Sequence, residues 1–318
     1  MSIKIGDLFS GIGCVAIAMK QLGVKFEYLF ACDIDPHCKK NLIHNHNPVT
    51  FHDDVTKITE LPKVDIFTAG FPCQPFSTTN RSEKIGSAHK SHDLFTDTVR
   101  CLKLCNPEMF ILENVKGLKL KSNAEYFKYI CDTLDTLGYN WKVQLLNSKN
   151  QGIPQSRPRL YFIGVKQGMP KFPEQIPLLY KFSDFMQDLP LVPHPCNSKN
   201  QNWTNLEHGI LYIDNGQSSG TFQKFRKLPV DYTHCLTTVK PGIFRLDENG
   251  LHRRKITTYE CMKLQYLADE HDKIWYDNIC SESQFCKQMG NGMDCHMMGM
   301  LIKLNYSCQD QVESLEQT

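Results

Sequence analysis

Cys73 stands in the run Phe71-Pro72-Cys73-Gln74-Pro75-Phe76-Ser77. Before it lies an apolar stretch, Val64-Asp65-Ile66-Phe67-Thr68-Ala69-Gly70, rich in β-formers and closed by glycine. A thiol delivered by a strand onto a turn-rich loop is where an α/β enzyme places a nucleophile. By itself a cysteine is most often a buried structural residue, so the neighbouring segments must decide. Met109-Phe110-Ile111-Leu112 is a second buried strand, and it ends at Glu113-Asn114-Val115, which brings a carboxylate to the same edge. Gln151-Gly152-Ile153-Pro154-Gln155-Ser156-Arg157-Pro158-Arg159 precedes a third apolar run, Leu160 to Val165. Two arginines around a proline beside a strand offer a fixed clamp for an anion or a carbonyl.

The elements that must position these groups begin with Asp7-Leu8-Phe9-Ser10-Gly11-Ile12-Gly13, a strand running into a glycine turn, followed by a helix from Cys14 to Leu22. Glycines there let a ligand approach the backbone and leave helix-start amides free. Phe26 to Cys32 reads as a strand ending at Asp33-Ile34-Asp35, and an acid about twenty residues after a glycine turn suits a ribose diol. After a helix through Asn41 and His44, Val49 to Val55 reads as another strand with acids near its end. This βαβ rhythm predicts a parallel sheet with a nucleoside pocket at its C-terminal edge. The turn lacks the third glycine of a dinucleotide fingerprint and the Lys-Ser/Thr of a P-loop. A nucleoside cofactor without pyrophosphate fits better, S-adenosylmethionine being the common one, and other cofactors stay open at this point. Further along, Thr78 to Asp93 reads as a polar lid loop beside the nucleophile. Leu94 to Leu104 and Asn123 to Leu137 read as helices, and Trp141 to Leu146 pairs with Leu160 to Val165 as strands.

The whole chain sets bounds on this reading. Its 318 residues suit one large domain or two unequal ones, and 41% hydrophobic content supplies a substantial core. No apolar run is long enough to span a bilayer. Fourteen cysteines without a signal-peptide pattern predict reduced thiols in a cytosolic or nuclear compartment. None of the cysteines pairs at CxxC spacing, and no histidine joins them at zinc-finger spacing, so no metal site is expected. A formal net charge of +2 requires any nucleic-acid footprint to be local.

In order and spacing, the chain resembles the cytosine-5 DNA methyltransferases. The segments that carry the likeness are DLFSGIG, Asp33, Asp54-Val55, DIFTAGFPCQPFS, LENV, GIPQSRPRLYFIG, RKITTYECMKLQ from Arg254 and QMGNG from Gln288. The resemblance implies an α/β fold, a Rossmann-like S-adenosyl-L-methionine-dependent methyltransferase sheet with a small target-recognition domain. It implies a catalytic domain of residues 1–166 plus 284–318 and a target-recognition domain of residues 167–283. Cys73 would be the nucleophile, Glu113 the partner of the cytosine ring nitrogen and amino group, and Arg159 the ligand of its carbonyl oxygen, supported by Arg157. Phe9, Gly11 and Gly13 would shape the cofactor pocket. Asp33 would bind the ribose, Ile34 would lie on the adenine, Asp54 and Val55 would contact that ring, Leu94 would pack near it, and Asn291 would close the methionine end. Gln74, Ser77, Thr237, Thr238 and Arg254 are the expected DNA contacts.

The chemistry asks for these groups. Carbon 5 of cytosine is a poor nucleophile until a thiolate adds at carbon 6. The adduct develops negative charge, which calls for an acid at the ring nitrogen and a cation at the carbonyl. A base inside a duplex cannot reach such a pocket, so it must be flipped out. The implied partner is double-stranded DNA, with no membrane, a monomeric enzyme, and a cognate restriction endonuclease acting separately. The expected location is cytoplasmic, or nuclear in a eukaryote or eukaryotic virus. A transfer-RNA methyltransferase on the same core is the alternative, though that branch carries Pro-Pro-Cys-Gln where this chain has Phe71-Pro72-Cys73-Gln74. A third reading is a non-catalytic nucleic-acid-binding relative, against which Cys73, Glu113 and Arg159 all stand.

The sequence departs from the family pattern in a few places. Asp33 stands where Glu is frequent, Tyr266-Leu267-Ala268-Asp269 where Gly-Phe-Pro-Asp is common, and Gly292-Met293 where Ser-Val is usual. Altered packing is expected at Tyr266, and a weaker cofactor contact at Gly292.

Overall fold

The computed structural model describes residues 2–72, 94–193, 206–213, 226–227, 231–236, 241–267 and 276–306. Cys73, Gln74, Ser77, the expected lid from Thr78 to Asp93, and Thr237 and Thr238 lie outside the described residues.

The chain divides into two units. The first comprises residues 1–146, 158–173 and 295–318, and the second residues 147–157 and 174–294. The boundaries depart from the expected ones at residues 147–157 and 284–294, which group with the second unit, and at residues 167–173, which group with the first.

In the first unit a seven-stranded sheet forms. Its strands are β1 (Ile3–Leu8), β2 (Phe26–Cys32), β3 (Thr50–His52), β4 (Ile66–Ala69), β5 (Met109–Val115), β6 (Asn140–Asn147) and β8 (Pro158–Val165). They lie in the order β3-β2-β1-β4-β5-β8-β6. β1 to β5 are parallel, and β8 runs antiparallel to β5. The order reverses between β1 and β4, which makes their carboxyl ends the switch point where such sheets bind ligands. The sheet is Rossmann-like in this arrangement.

The helices α1 (Cys14–Gln21), α2 (Pro36–His46), α3 (Leu94–Cys105), α4 (Ala124–Asp135) and α7 (Cys295–Asn305) accompany it. α3 and α4 each bury one apolar stripe, Phe95, Val99 and Leu102 on the first and Ile130 and Leu134 on the second. These residues join Phe67, Phe110, Leu112, Leu160 and Phe162 of the strands in one core. Central strands buried on both faces read as continuous apolar runs, which is why β4 and β5 were legible. α7 packs on α1 closely enough that a Cβ added at Gly299 would lie 3.8 Å from the Ala18 Cβ.

The second unit has a five-stranded sheet in the order β11 (Arg226–Lys227), β10 (Leu211–Ile213), β13 (Gly242–Asp247), β14 (Gly250–Lys255), β9 (Val192–Pro193). A short pair joins β7 (Gln155–Ser156) to β12 (Thr233–His234). Leu206, Tyr212, Phe244 and Leu251 form a small core on one face. α5 (Thr258–Leu264) and α6 (Glu282–Asn291) complete the unit. Among the described residues no helix is long and apolar enough to cross a membrane.

Candidate active site

Glu113 lies inside β5, one turn of the pleat further than the apolar run predicts. It faces Tyr161 of β8, and Val115 faces Arg159. Alternation puts Glu113, Val115 and Arg159 on one face, so Arg159 is the diagonal neighbour of Glu113. Arg159 Nε lies 2.9 Å from Glu113 Oε1, both side chains being largely buried. The N–H does not point along that line, so the contact is an ion pair and not a hydrogen bond. Glu113 Oε1 therefore has no hydrogen-bond partner among the described residues. A buried acceptor left open in this way is a place for a ligand's donor. The amino group of a cytosine is such a donor, and the adjacent guanidinium suits an oxygen that gains negative charge.

On the other face of β5, Asn114 is buried and donates from Nδ2 to the Phe71 carbonyl at 3.1 Å. Its Oδ1 accepts from the Val115 amide at 2.8 Å. The strand that carries Glu113 thus grips the backbone two residues before Cys73. The apolar periodicity of β5 gave Asn114 no role, because its partner lies 43 residues away in sequence. Phe71 itself is buried and packs against Phe95 with the rings tilted and their centroids 5.3 Å apart.

The glycine turn after β1 is built from left-handed residues: Phe9 has φ 54°, Gly11 φ 53° and Gly13 φ 76°. Phe9 holds this conformation at a cost of about 1–2 kcal/mol, since its Cβ crowds the following carbonyl. Ser10 fixes the turn by bonding the Asp7 and Cys32 carbonyls through Oγ and receiving the Cys32 amide. Asp33 Oδ2 accepts from the Gly11 amide at 2.7 Å, and Oδ1 accepts from the Asp35 amide at 2.9 Å. The shorter acid at this position is thus drawn onto the turn. His46 supports the turn from α2, its Nε2 lying 3.2 Å from the Ile12 carbonyl. Burial, then the nearby Lys20 charge, push the His46 pKa down to about 3, so the ring is neutral at pH 7.

Beside this turn the surface has the composition of a nucleoside shelf. Ile34 is 82% exposed, which is unusual for an isoleucine and suited to a flat apolar ring. A Cβ at Gly11 would find no atom nearer than the Phe9 carbonyl at 4.0 Å, so the turn opens onto free space. Asp54 caps a short turn through the Thr56 amide and hydroxyl, and these bonds hold its carboxyl below the usual range. Val55 is buried behind it, and Leu94, half-buried at the start of α3, packs on the same core. These residues fit an adenosine-bearing cofactor.

Asp7 lies beneath the turn, fully buried between Thr68 of β4 and Tyr28 of β2. Burial pushes its pKa up to about 7 against the hydrogen bonds that pull it down. Among the described residues no group of three or more His, Cys, Asp or Glu is placed to hold a metal.

Two further expected site arginines have partners within the second unit. Arg157 is buried in the second unit, where its guanidinium donates to the Leu236, Gly290 and Gly292 carbonyls. It clamps backbone in the manner of a supporting residue. The carbonyls of Gly290 and Gly292 flank Asn291, which is exposed at the end of α6. Arg254, expected on DNA, has a side chain only 8% exposed and forms a two-pronged pair with Glu260 at 2.9 and 2.8 Å. Glu260 also closes the capping box of α5 with Thr257, so both charges serve the fold.

The profile of the family described as C-5 cytosine-specific DNA methylase matches residues 3–303. The chain belongs to this family. Among similar proteins, the Type II methyltransferase M.BsuFI of Bacillus subtilis is 38% identical over 160 residues, which are 50% of this chain and 38% of that protein. The Type II methyltransferase M.NlaX of Neisseria lactamica is 29% identical over 298 residues, 91% of this chain and 92% of that protein. The matched part of M.BsuFI is thus less than half of its length. In three dimensions a mutant of Spodoptera frugiperda DNMT2 aligns with TM-score 0.67 at 18% identity, over 96% of this chain and all of that one. Schizosaccharomyces pombe Dnmt2 aligns with TM-score 0.63 at 16% identity, over 95% of this chain and 99% of that one. At such identities the likeness is one of fold.

Within the C-5 cytosine methylase family the departure at Tyr266 now has a physical account. Tyr266 has φ 60°, directly after α5 and its cap Gln265. Its amide bonds the Lys263 carbonyl and the Leu267 amide bonds the Met262 carbonyl, the two bonds of a Schellman stop. The residue in that position is left-handed, so glycine is the easy choice and tyrosine a strained one.

Proposed function

We propose that this chain is a DNA (cytosine-5-)-methyltransferase that transfers a methyl group from S-adenosyl-L-methionine to a flipped-out cytosine in a short DNA sequence. The observation that carries the reading is the Glu113–Arg159 pair with its open Oε1, on the strand that grips the Phe71 carbonyl ahead of Cys73. When bound, the cofactor supplies an electrophilic methyl group on sulfonium sulfur, and it leaves as the thioether.

Each residue then has a step. The Cys73 thiolate adds to carbon 6 of the ring and gives carbon 5 the electron density to take the methyl group. Glu113 holds the ring nitrogen and amino group and shares a proton with them as charge develops. Arg159 holds the carbonyl oxygen through the same stage. A base then takes the carbon 5 proton, and the electron pair expels Cys73. Asp33 binds the ribose, Ile34 covers the adenine with Asp54, Val55 and Leu94 around it, Phe9, Gly11 and Gly13 shape the turn, and Asn291 closes the methionine end. Gln74, Ser77, Thr237 and Thr238 contact DNA. The enzyme works as a monomer in the cytoplasm on double-stranded DNA, with any cognate endonuclease acting separately.

The test is incubation with S-adenosylmethionine and DNA of diverse sequence, followed by bisulfite mapping. Methylation confined to one short motif supports the reading. Transfer to RNA and none to DNA would replace it with the RNA methyltransferase reading.

A further inference from the structure

Two residues beyond Glu113 the chain reads Val115-Lys116-Gly117-Leu118-Lys119-Leu120-Lys121. Three lysines in six residues are a concentrated charge in a chain whose net formal charge is only +2. All three are exposed, and among the described residues none has a carboxylate partner. Some surface lysines of the unit are paired, Lys39 with Asp53, Lys128 with Asp132 and Lys166 with Glu108, so what marks Lys116, Lys119 and Lys121 is their clustering on one short segment beside Glu113.

The segment is also held firmly. It forms two successive 3-10 turns, Lys116–Lys119 and Lys121–Asn123. Leu118 is fully buried in the main core and anchors the first turn. Asn123 donates from Nδ2 to the Gly117 carbonyl at 2.7 Å, and its amide bonds the Leu120 carbonyl at 2.8 Å. The lysine stems are therefore presented from a fixed backbone, and little order must be imposed on binding. Lys119 also lies over the Phe127 ring at 5.4 Å, which leaves its ammonium at the surface on one side.

We propose that Lys116, Lys119 and Lys121 form a docking surface for the phosphate backbone of duplex DNA next to the target base. The inference rests on the reading of the chain as a DNA cytosine methyltransferase. Chain reach keeps the Lys116 Cα within about 11 Å of the Glu113 Cα. A base held at Glu113 brings its own phosphates and those of its neighbours close to that range, since each strand carries one phosphate per about 3.4 Å of helix axis. Ammonium groups on flexible stems hold phosphates without reading sequence, so the surface sets affinity and register but not the recognition site.

The experiment compares the wild-type chain with a Lys116→Gln/Lys119→Gln/Lys121→Gln variant and a triple Lys→Arg variant. Binding of a fluorescent duplex containing methylated sites is measured from 50 to 300 mM potassium chloride, with thermal unfolding as the check on folding. Each lost phosphate contact removes about 0.9 from the slope of log affinity against log salt. The glutamine variant is expected to lose about 2–3 from that slope and to bind roughly tenfold or more weakly at 150 mM salt. The arginine variant is expected to keep the wild-type slope. An unchanged slope in the glutamine variant overturns the proposal, as does equal loss of binding in the arginine variant. A wild-type protein that methylates no duplex overturns the functional reading and the proposal together, and so is distinguished from failure of the surface alone. Loss of binding to anionic lipid vesicles in the glutamine variant, with its DNA affinity unchanged, would assign the surface to a membrane and overturn the proposal too.

Discussion

The side-chain amide of Asn114 donates to the main-chain carbonyl of Phe71 across 3.1 Å. This bond ties the strand carrying Glu113 to the backbone two residues before Cys73. In the proposed reaction the thiol and the carboxylate act on one ring, so their separation must hold. Asn114→Asp keeps the shape and removes the donor, and sets a carboxylate against a carbonyl. Single-turnover methyl transfer is expected to fall by about 100-fold, the scale of a small misplacement of reacting groups. Cofactor binding, measured by calorimetry, is expected to change far less. An unaltered transfer rate would mean that the bond does not position Cys73.

Glu113 and Arg159 are expected to fail in different ways. Glu113→Gln keeps a hydrogen-bonding group but cannot share a proton with the ring nitrogen, and is expected to slow turnover by about 100-fold or more. Arg159→Lys keeps the charge and loses the planar fork, and a loss of about 100-fold is expected there as well. Radiolabelled methyl transfer at saturating cofactor measures both. Near-normal turnover in either variant would place the charge stabilisation elsewhere.

Asp7 gives stability a pH dependence whose sign follows from burial. Its carboxyl ionises near 3.8 in the unfolded chain and near 7 when folded. Between those values the folded chain holds a proton that the unfolded chain releases. Its contribution to stability therefore falls as pH rises from about 4 to 7 and stays low above that. Asp7→Asn keeps an acceptor for the Thr68 hydroxyl, which bonds Asp7 at 2.6 Å, and removes the titration. Urea unfolding at pH 5 and pH 8 is expected to show a smaller difference in the variant than in the wild type. An equal difference would mean that Asp7 does not carry the effect.

Tyr266 occupies a left-handed position in the stop of α5. Tyr266→Gly is expected to raise stability by about 0.5–1 kcal/mol by relieving backbone strain, net of lost ring contacts. Thermal unfolding checks this, and a lower midpoint would mean that the tyrosine ring outweighs the strain.

Periodicity and strand-end residues made the frame of the first unit readable from sequence. β2 was predicted with the same bounds, and β4, β5, α3 and α4 within a few residues. What periodicity cannot report is which distant group claims a polar side chain. Arg157 and Arg254 read as available cations, yet carbonyls more than 70 residues away in sequence hold the first and Glu260 the second. Asp33 reads as a free ribose ligand, yet it first serves the Gly11 amide 22 residues earlier. The strand expected from Val49 to Val55 is only Thr50–His52, because Asp54 caps a turn through Thr56 and ends the extended backbone. Asn114 showed no signal because its role lies across the sheet, not along the strand.

In the proposed reaction Cys73 forms a covalent bond to the target base while Glu113 and Arg159 support the ring. Duplex DNA carrying 5-fluorocytosine tests it most directly, because fluorine at carbon 5 cannot be removed as a proton and the adduct is trapped. Incubation with S-adenosylmethionine, then intact-mass measurement and peptide mapping, is expected to show a protein–DNA adduct on Cys73 that Cys73→Ala abolishes. Methyl transfer to ordinary cytosine that persists in Cys73→Ala, or proceeds with no adduct on 5-fluorocytosine, would contradict the account.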